Sequence, residues 1–247
     1  MEIQTRLTID GIQCEAAPGE YLLSVAKRCG IEIPTLCHHD ALPGQASCRL
    51  CVVEVIDRGR SSTVVSCVYP AADGMEILTQ SEKIRRLRGN ILRMLRERAP
   101  ADTGLDALCL EYGVTPDERF YRDEGEKCVL CGLCAKACSL LGANAITTAM
   151  RGTFKKISTP FGEPSPQCIG CGACSRICPS GAITLAETGG KRHIWGRTFD
   201  LLACAACGET VTTPEELEYV TKKGVIFAGS DPLCAACRKK AAVAALP

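Results

Sequence analysis

Residues 128–138 read CVLCGLCAKAC and residues 168–179 read CIGCGACSRICP, so one cysteine spacing is written twice. Cys128, Cys131, Cys134 and Cys138 follow C-x2-C-x2-C-x3-C, and Cys168, Cys171, Cys174 and Cys178 repeat it, closing on Pro179. That spacing wraps three thiolates of one turn around an iron–sulfur cube and sends the fourth to a neighbouring cube. Zinc motifs use separated C-x2-C knuckles instead. Each run is followed by a similar tail, Gly142-Ala143-Asn144-Ala145-Ile146-Thr147 and Gly181-Ala182-Ile183-Thr184. Cysteine loop, helical turn and strand thus form a duplicated unit.

In a two-cluster arrangement the fourth cysteine of each run serves the other cube. Cys128, Cys131, Cys134 and Cys178 are therefore assigned to one [4Fe-4S] cluster, and Cys138, Cys168, Cys171 and Cys174 to a second. Small residues between the ligands (Gly132, Gly170, Gly172, Ala135, Ala173) let backbone N–H groups approach the sulfides.

The chain has 247 residues and nineteen cysteines, with a formal net charge of +1 and only 4% aromatic residues. So many cysteines imply either a secreted disulfide framework or an intracellular metalloprotein. Their clustering favours metal, and MEIQTRLTID carries charges where a signal peptide needs an apolar core. A cytoplasmic location is expected. No apolar run approaches the ~20 residues that span a bilayer, and a near-neutral charge gives no global pull toward nucleic acid. A core poor in aromatics needs staples, which bound metal supplies because its binding free energy is folding free energy.

Residues 1–79 read as a small β-rich domain. Asp10-Gly11 is a hairpin signal between Glu2–Ile9 and Ile12–Ala16, a short helix runs from Tyr21 to Arg28, and Gly30 ends it. Cys51–Ile56 and Thr63–Val68 are β-branched runs joined through Asp57-Arg58-Gly59-Arg60, and Met75–Leu78 is a short final strand. Here Cys37-x10-Cys48-x2-Cys51-x15-Cys67 could hold a [2Fe-2S] rhomb at the edge of a β-grasp sheet or, on spacing alone, zinc. Glu82–Arg98 is a helix with Ile84, Leu87, Ile91, Met94 and Leu95 as its apolar stripe. Its other face carries Lys83, Arg85, Arg86, Arg88, Arg93, Arg96 and Arg98, read as a solvated basic face or a docking surface for an acidic subunit. Residues 80–126 form a helical connector, with a short helix around Leu105–Tyr112. Residues 127–200 hold the repeat and 201–247 a last group, Cys204-x2-Cys207 with Cys234-x2-Cys237, ending in an Ala-rich helix. Two such knuckles have the form of a closed structural zinc ribbon, although mononuclear iron or a further cluster could use the same thiolates. The expected class is α+β: β-grasp domain, basic helical connector, two-[4Fe-4S] bacterial-ferredoxin-like domain and small zinc-ribbon-like domain.

The stretch Pro34-Thr35-Leu36-Cys37-His38-His39, then Ser47 through Val55, Ser66-Cys67, Ala72-Asp73-Gly74-Met75, the basic helix and both cysteine runs resemble one family. It is the N-terminal region of the large iron–sulfur subunit of respiratory complex I. The same module occurs in diaphorase small subunits of bidirectional NAD-linked hydrogenases and at the front of [FeFe] hydrogenases. The resemblance covers roughly residues 1–186 and implies a [2Fe-2S] cluster on Cys37, Cys48, Cys51 and Cys67. Relatives commonly carry a histidine and three cysteines after the basic helix for one more [4Fe-4S] cluster. Residues 99–127 hold only Cys109 and no histidine, so that cluster should be lost. Cys109, Cys14 and Cys29 are read as packed thiols, His38 and His39 as neighbours of a ligand, and His193 as a surface residue.

No G-x-G-x-x-G after a strand and no P-loop is present, nor the cysteine motifs of a hydrogen-activating cluster. Clusters move single electrons, so substrate chemistry is expected in another chain. The resemblance implies an electron-transfer subunit of an NAD(P)H-linked oxidoreductase of hydrogenase, formate dehydrogenase or electron-bifurcating transhydrogenase type. Its partners would be a flavin- and NAD(P)-binding subunit, a further redox subunit and soluble ferredoxin. The expected complement is one [2Fe-2S], two [4Fe-4S] and one zinc, in an anaerobic setting. The alternatives are a free-standing polyferredoxin-type carrier and a metal-binding regulator that contacts nucleic acid.

Overall fold

In the computed structural model, residues 5–120, 122–224 and 232–244 are described. They fall into two compact units, residues 1–133 with 179–182 and residues 134–178 with 183–247.

The first unit is built on a five-stranded sheet of order β2-β1-β5-β3-β4. Strands β1 (Thr5–Ile9) and β2 (Ile12–Ala16) are antiparallel. Asp10 and Gly11 both take positive φ, 49° and 80°, the backbone of the tight turn that matches strand twist. Helix α1 (Leu22–Arg28) buries Leu22, Leu23, Val25 and Ala26. Strand β3 (Val52–Asp57) pairs with β4 (Arg60–Val65), and Arg58 and Gly59 turn the chain with φ 47° and 75°. Strand β5 (Glu76–Leu78) lies parallel to β1 and antiparallel to β3, so it closes the sheet at its centre. Leu7, Ile9, Val25, Val53, Val55 and Ile77 form the core with α1, and Cys51 and Cys67 belong to the same cluster. Cys51 and Cys67 are therefore anchored in the core of the unit.

Helix α2 (Glu82–Arg98) starts where Ser81 Oγ accepts from Ile84 N at 3.4 Å, a cap of the kind worth about 1 kcal/mol. Its buried line is Ile84, Arg88 and Leu92, each 0% exposed. The expected stripe is thus rotated. Met94 is exposed, Leu87, Ile91 and Leu95 are half-buried, and Arg88 leaves the solvated face for the interior. The cause is hydrogen bonding: backbone carbonyls of the Leu50–Val52 segment offer a guanidinium partners that an aliphatic side chain could not satisfy. A 3-10 turn (Thr103–Leu105) leads into α3 (Asp106–Glu111). Buried Glu97 pairs with Arg122 at 3.3 Å and accepts from Asp117 N at 2.8 Å, which pins the connector to α2.

In the second unit the duplicated copies diverge. Helix α4 (Leu133–Leu141) runs nine residues and α5 (Ala173–Arg176) four. Pro179 disfavours helix in the residue before it and cannot donate, whereas Ser139 in the first copy lets α4 continue. The first tail enters β6 (Thr147–Ala149), paired with β7 (Lys156–Ser158). The second Ala-Ile-Thr stays irregular, and its strand, β8, begins at Ala186. There β8 (Ala186–Thr188), β9 (Lys191–Ile194) and β10 (Arg197–Asp200) make an antiparallel meander, turned by Gly189-Gly190 and by Trp195-Gly196. Strands β11 (Leu202–Ala203) and β12 (Thr210–Thr212) form a small hairpin. Helices α6 (Pro214–Lys222) and α7 (Ala235–Ala244) follow. No helix among the described residues is long and apolar enough to cross a membrane.

Replacing Ile77, 0% exposed at the sheet centre, by Ala should destabilise the first unit by about 2–5 kcal/mol. Urea unfolding followed by circular dichroism measures this, with a lowered midpoint as the expected outcome.

Candidate metal centres

The N-terminal group is drawn together by a long loop and the sheet edge. Cys37, Cys48, Cys51 and Cys67 are each 6% exposed or less. Cys48 N donates to Cys37 Sγ at 3.3 Å. Hydrogen bonding to Cys37 pulls the Cys48 thiol down to about 6 while Cys37 is pushed up, and the Cys51–Cys67 pair behaves alike, Cys51 falling to about 7. Each pair shares a proton that a metal would displace. Gly44 of this loop packs so closely that a Cβ would lie 2.6 Å from Cys67 O. Gln45 Oε1 would stand 3.2 Å from a Cβ on Gly132, so the loop reaches the turn between Cys131 and Cys134. Gln45 Nε2 is buried and has no protein partner, as an amide would be beside an acceptor that the protein does not itself supply. The residues fit an iron–sulfur centre.

In the second unit Cys138, Cys168, Cys171 and Cys174 line one small apolar cavity with Ile146, Ile194 and Trp195. These are the four thiols that the crossed connectivity groups. Ala145 N donates to Cys138 Sγ at 3.2 Å and Trp195 Nε1 to Cys174 Sγ at 3.4 Å. Burial pushes the Cys171 thiol up to about 11. Gly170, with φ 69°, has the Phe199 ring 2.7 Å from where a Cβ would stand, so its smallness serves packing as well as turn geometry. Arg192 donates to Gly170 O at 2.7 Å, and Arg197 reaches the carbonyls of Ser165, Pro166 and Cys168. The β9–β10 hairpin thus clamps the cysteine loop, a role that spacing alone did not reveal. Its turn signal, Trp195-Gly196 between β-rich runs, could have located the hairpin.

Of the remaining run cysteines, Cys128 and Cys131 lie in the loop after Glu126, whose Oε1 accepts from Cys128 N at 2.7 Å. Cys134 lies in the first turn of α4 and belongs to the core cluster that includes Cys174, with Cys138 and Cys168 packed against it. Cys178 follows α5.

The C-terminal group is the tightest. Ligand atoms of Cys204, Cys207, Cys234 and Cys237 all lie within 4.8 Å of one another, a closeness found for no other such group among the described residues. Four thiolates at the ~2.3 Å metal–sulfur distance of a tetrahedral ion lie about 3.8 Å apart, and Cys207 Sγ to Cys234 Sγ is 3.7 Å. The four thiolates of a cube bind four separate irons and those of a rhomb two, so either set spreads wider than around one ion. Cys234 N donates to Cys204 Sγ at 3.3 Å and Cys237 N to Cys234 Sγ at 3.4 Å. Backbone N–H bonds, that from Cys234 foremost, pull Cys204 down to about 6.

Cys14 and Cys29 adjoin each other rather than a ligand group, and burial, reinforced by Cys29, pushes Cys14 up to about 12. Cys109 is buried on α3. His39 Nδ1 accepts from Ala41 N, His38 lies 3.9 Å from Asp40, and His193 meets Thr198 across the β9–β10 pair.

The 2Fe-2S iron-sulfur cluster binding domain family matches residues 3–82, and 4Fe-4S dicluster domain families match residues 124–182 and 167–213. The chain is 30% identical over 242 residues to the NADPH-Fe(3+) oxidoreductase subunit alpha of Geobacter sulfurreducens, covering 88% of this chain and 28% of that protein. It is 28% identical over 201 residues to the NADH-ubiquinone oxidoreductase 75 kDa subunit of Reclinomonas americana, covering 71% of this chain and 28% of that protein. It therefore spans little more than a quarter of these relatives. A chain in the crystal structure of NAD+-reducing [NiFe]-hydrogenase in the H2-reduced state superimposes with a TM-score of 0.60 at 29% identity, covering 72% of this chain and 86% of that one.

Two outcomes follow from the sulfur environments. Trp195→Phe should lower the potential of one [4Fe-4S] signal and keep the cluster, because an N–H···S bond favours the more negative reduced state; a redox titration followed by electron paramagnetic resonance reads this. An ion held by the four C-terminal thiols should be retained at neutral pH and released on acidification, because protons compete with it for every sulfur. A chromogenic chelator assay between pH 7 and 5 measures the release.

Proposed function

From the premise that this chain carries the iron–sulfur region shared by complex I large iron–sulfur subunits and NAD(P)-linked hydrogenase and oxidoreductase subunits, we propose that it is an electron-transfer subunit of an NAD(P)H-linked oxidoreductase complex. One observation carries the reading: a 2Fe-2S domain and a 4Fe-4S dicluster domain follow each other in one chain, within the stretch that aligns with those relatives.

In this reading residues 1–79 form a β-grasp domain whose Cys37, Cys48, Cys51 and Cys67 hold a [2Fe-2S] centre. Residues 80–126 are a connector without the additional His-linked cluster. Residues 127–200 hold two [4Fe-4S] centres, one on Cys128, Cys131, Cys134 and Cys178 and one on Cys138, Cys168, Cys171 and Cys174. Bound there, the clusters supply one-electron transfer and nothing else. The chain's own residues bury Cys37, Cys48, Cys51 and Cys67, aim N–H groups at sulfur and, through Gln45 and Gly132, bring the first loop against the second.

Residues 201–247 hold a single ion on Cys204, Cys207, Cys234 and Cys237, read as zinc. The closeness of the four thiolates supports one ion over a further cluster. As a closed site it would staple the hairpin β11–β12 to α7.

Electrons would enter from a flavin- and NAD(P)-binding subunit and leave toward another redox subunit or a ferredoxin, in the cytoplasm. Purified alone under anaerobic conditions, the chain should be bleached by dithionite yet fail to reduce a dye with NADH or NADPH. A flavoprotein subunit co-isolated from native extract should restore that activity. Nicotinamide-driven dye reduction by the flavin-free chain would defeat the proposal.

A further inference from the structure

Arg88 is the largest side chain buried to under 2% exposure, and it stands in the middle of the apolar line of α2 between Ile84 and Leu92. Its Nε donates to Leu50 O at 2.9 Å, its Nη2 to Val52 O at 2.7 Å and its Nη1 to the Tyr112 hydroxyl at 3.0 Å. All three acceptors are neutral. Three other cations of α2 find carboxylates, Lys83 on Glu54, Arg96 on Asp106 and Arg98 on Glu126, and Arg85, Arg86 and Arg93, which pair with none, are exposed or half-buried; no ion pair among the described residues includes Arg88, the one cation of the helix that is fully buried. A guanidinium stays protonated in proteins, and a buried cation without a counter-charge is strongly unfavourable.

The two backbone acceptors locate the missing charge. Leu50 and Val52 flank Cys51, which is 1% exposed. Cys51 O is itself held by Ser66, through N at 3.0 Å and Oγ at 2.8 Å. The cation is thus locked onto the segment that presents one ligand. Four thiolates and two sulfides outweigh two ferric ions, so an oxidised [2Fe-2S] centre is a net anion and becomes more negative on reduction.

We propose that Arg88 is the built-in counter-charge of the [2Fe-2S] centre on Cys37, Cys48, Cys51 and Cys67, and that it raises the centre's reduction potential. The proposal rests on that ligand reading. The same charge that offsets the anion in the resting protein stabilises the reduced form more, because the reduced form carries the extra electron. The burial of Arg88 keeps solvent and salt from screening the effect.

The test compares three variants of the full chain, purified anaerobically. Arg88→Lys keeps the charge with poorer hydrogen-bond geometry. Arg88→Gln keeps a carbonyl-directed donor and removes the charge. Arg86→Gln removes a charge from the exposed face of the same helix. The readouts are iron and sulfide content, the [2Fe-2S] resonance signal and its midpoint potential by redox titration. The expected result is a lower potential in Arg88→Gln, with a shift several-fold larger than in Arg86→Gln, and a potential in Arg88→Lys closer to the parent's. Cluster assembly in Arg88→Lys but not in Arg88→Gln would equally support a requirement for charge. If the Lys and Gln variants match in cluster content and potential, Arg88 is a structural clamp only and the proposal is overturned. A parent protein whose iron and sulfide include no [2Fe-2S] signal would overturn the ligand reading, and the counter-charge with it.

Discussion

Thiols gathered this closely cannot all ionise without a cation among them, and that constraint organises both units. Within Cys37–Cys48 and Cys51–Cys67 one sulfur is driven toward thiolate and its neighbour away from it. Bound metal removes the conflict by replacing the shared protons, so its binding free energy becomes folding free energy. The rest of the architecture can then be economical: one helix on a five-stranded sheet, short hairpins elsewhere, and few aromatics.

Around each centre the protein supplies what sulfur requires. Backbone N–H groups point at Cys37, Cys138, Cys204 and Cys234, and an indole N–H points at Cys174. Arginines from outside the cysteine segments, Arg88 in the first unit and Arg192 and Arg197 in the second, hold the carbonyls that fix those segments in place. The C-terminal site differs in scale. Its four sulfurs close to the spacing of one ion, which suits a staple better than a relay station.

Much of this was legible in the sequence because cysteine spacing is a local property. Residues three or four apart on one turn converge whatever the remainder of the chain does. The Asp10-Gly11 and Arg58-Gly59 turns, α1 and α2 were legible for the same reason, since positive-φ turns and helical periodicity are local signals. Arg88 was not. An arginine four residues from Ile84 and from Leu92 reads as part of a basic face, and only the tertiary position of Leu50 and Val52 turns it inward. Trp195 is a similar case, because its contact with Cys174 spans 21 residues. Helix α6 could have been read: Thr213 caps it, Pro214 opens it and Glu215 and Glu216 occupy its first turn.

The central claim is that one chain holds a two-iron centre and two cubes along with a separate single-ion site. Mössbauer spectroscopy of the iron-57-enriched, anaerobically purified protein tests it most directly, because ferric pairs, cubes and isolated tetrahedral iron give different doublets. With ten irons divided as one pair and two cubes, about one-fifth of the absorption should belong to a [2Fe-2S] centre and about four-fifths to [4Fe-4S] centres. A spectrum with no cubane doublet, or with all iron in one kind of site, would contradict the account.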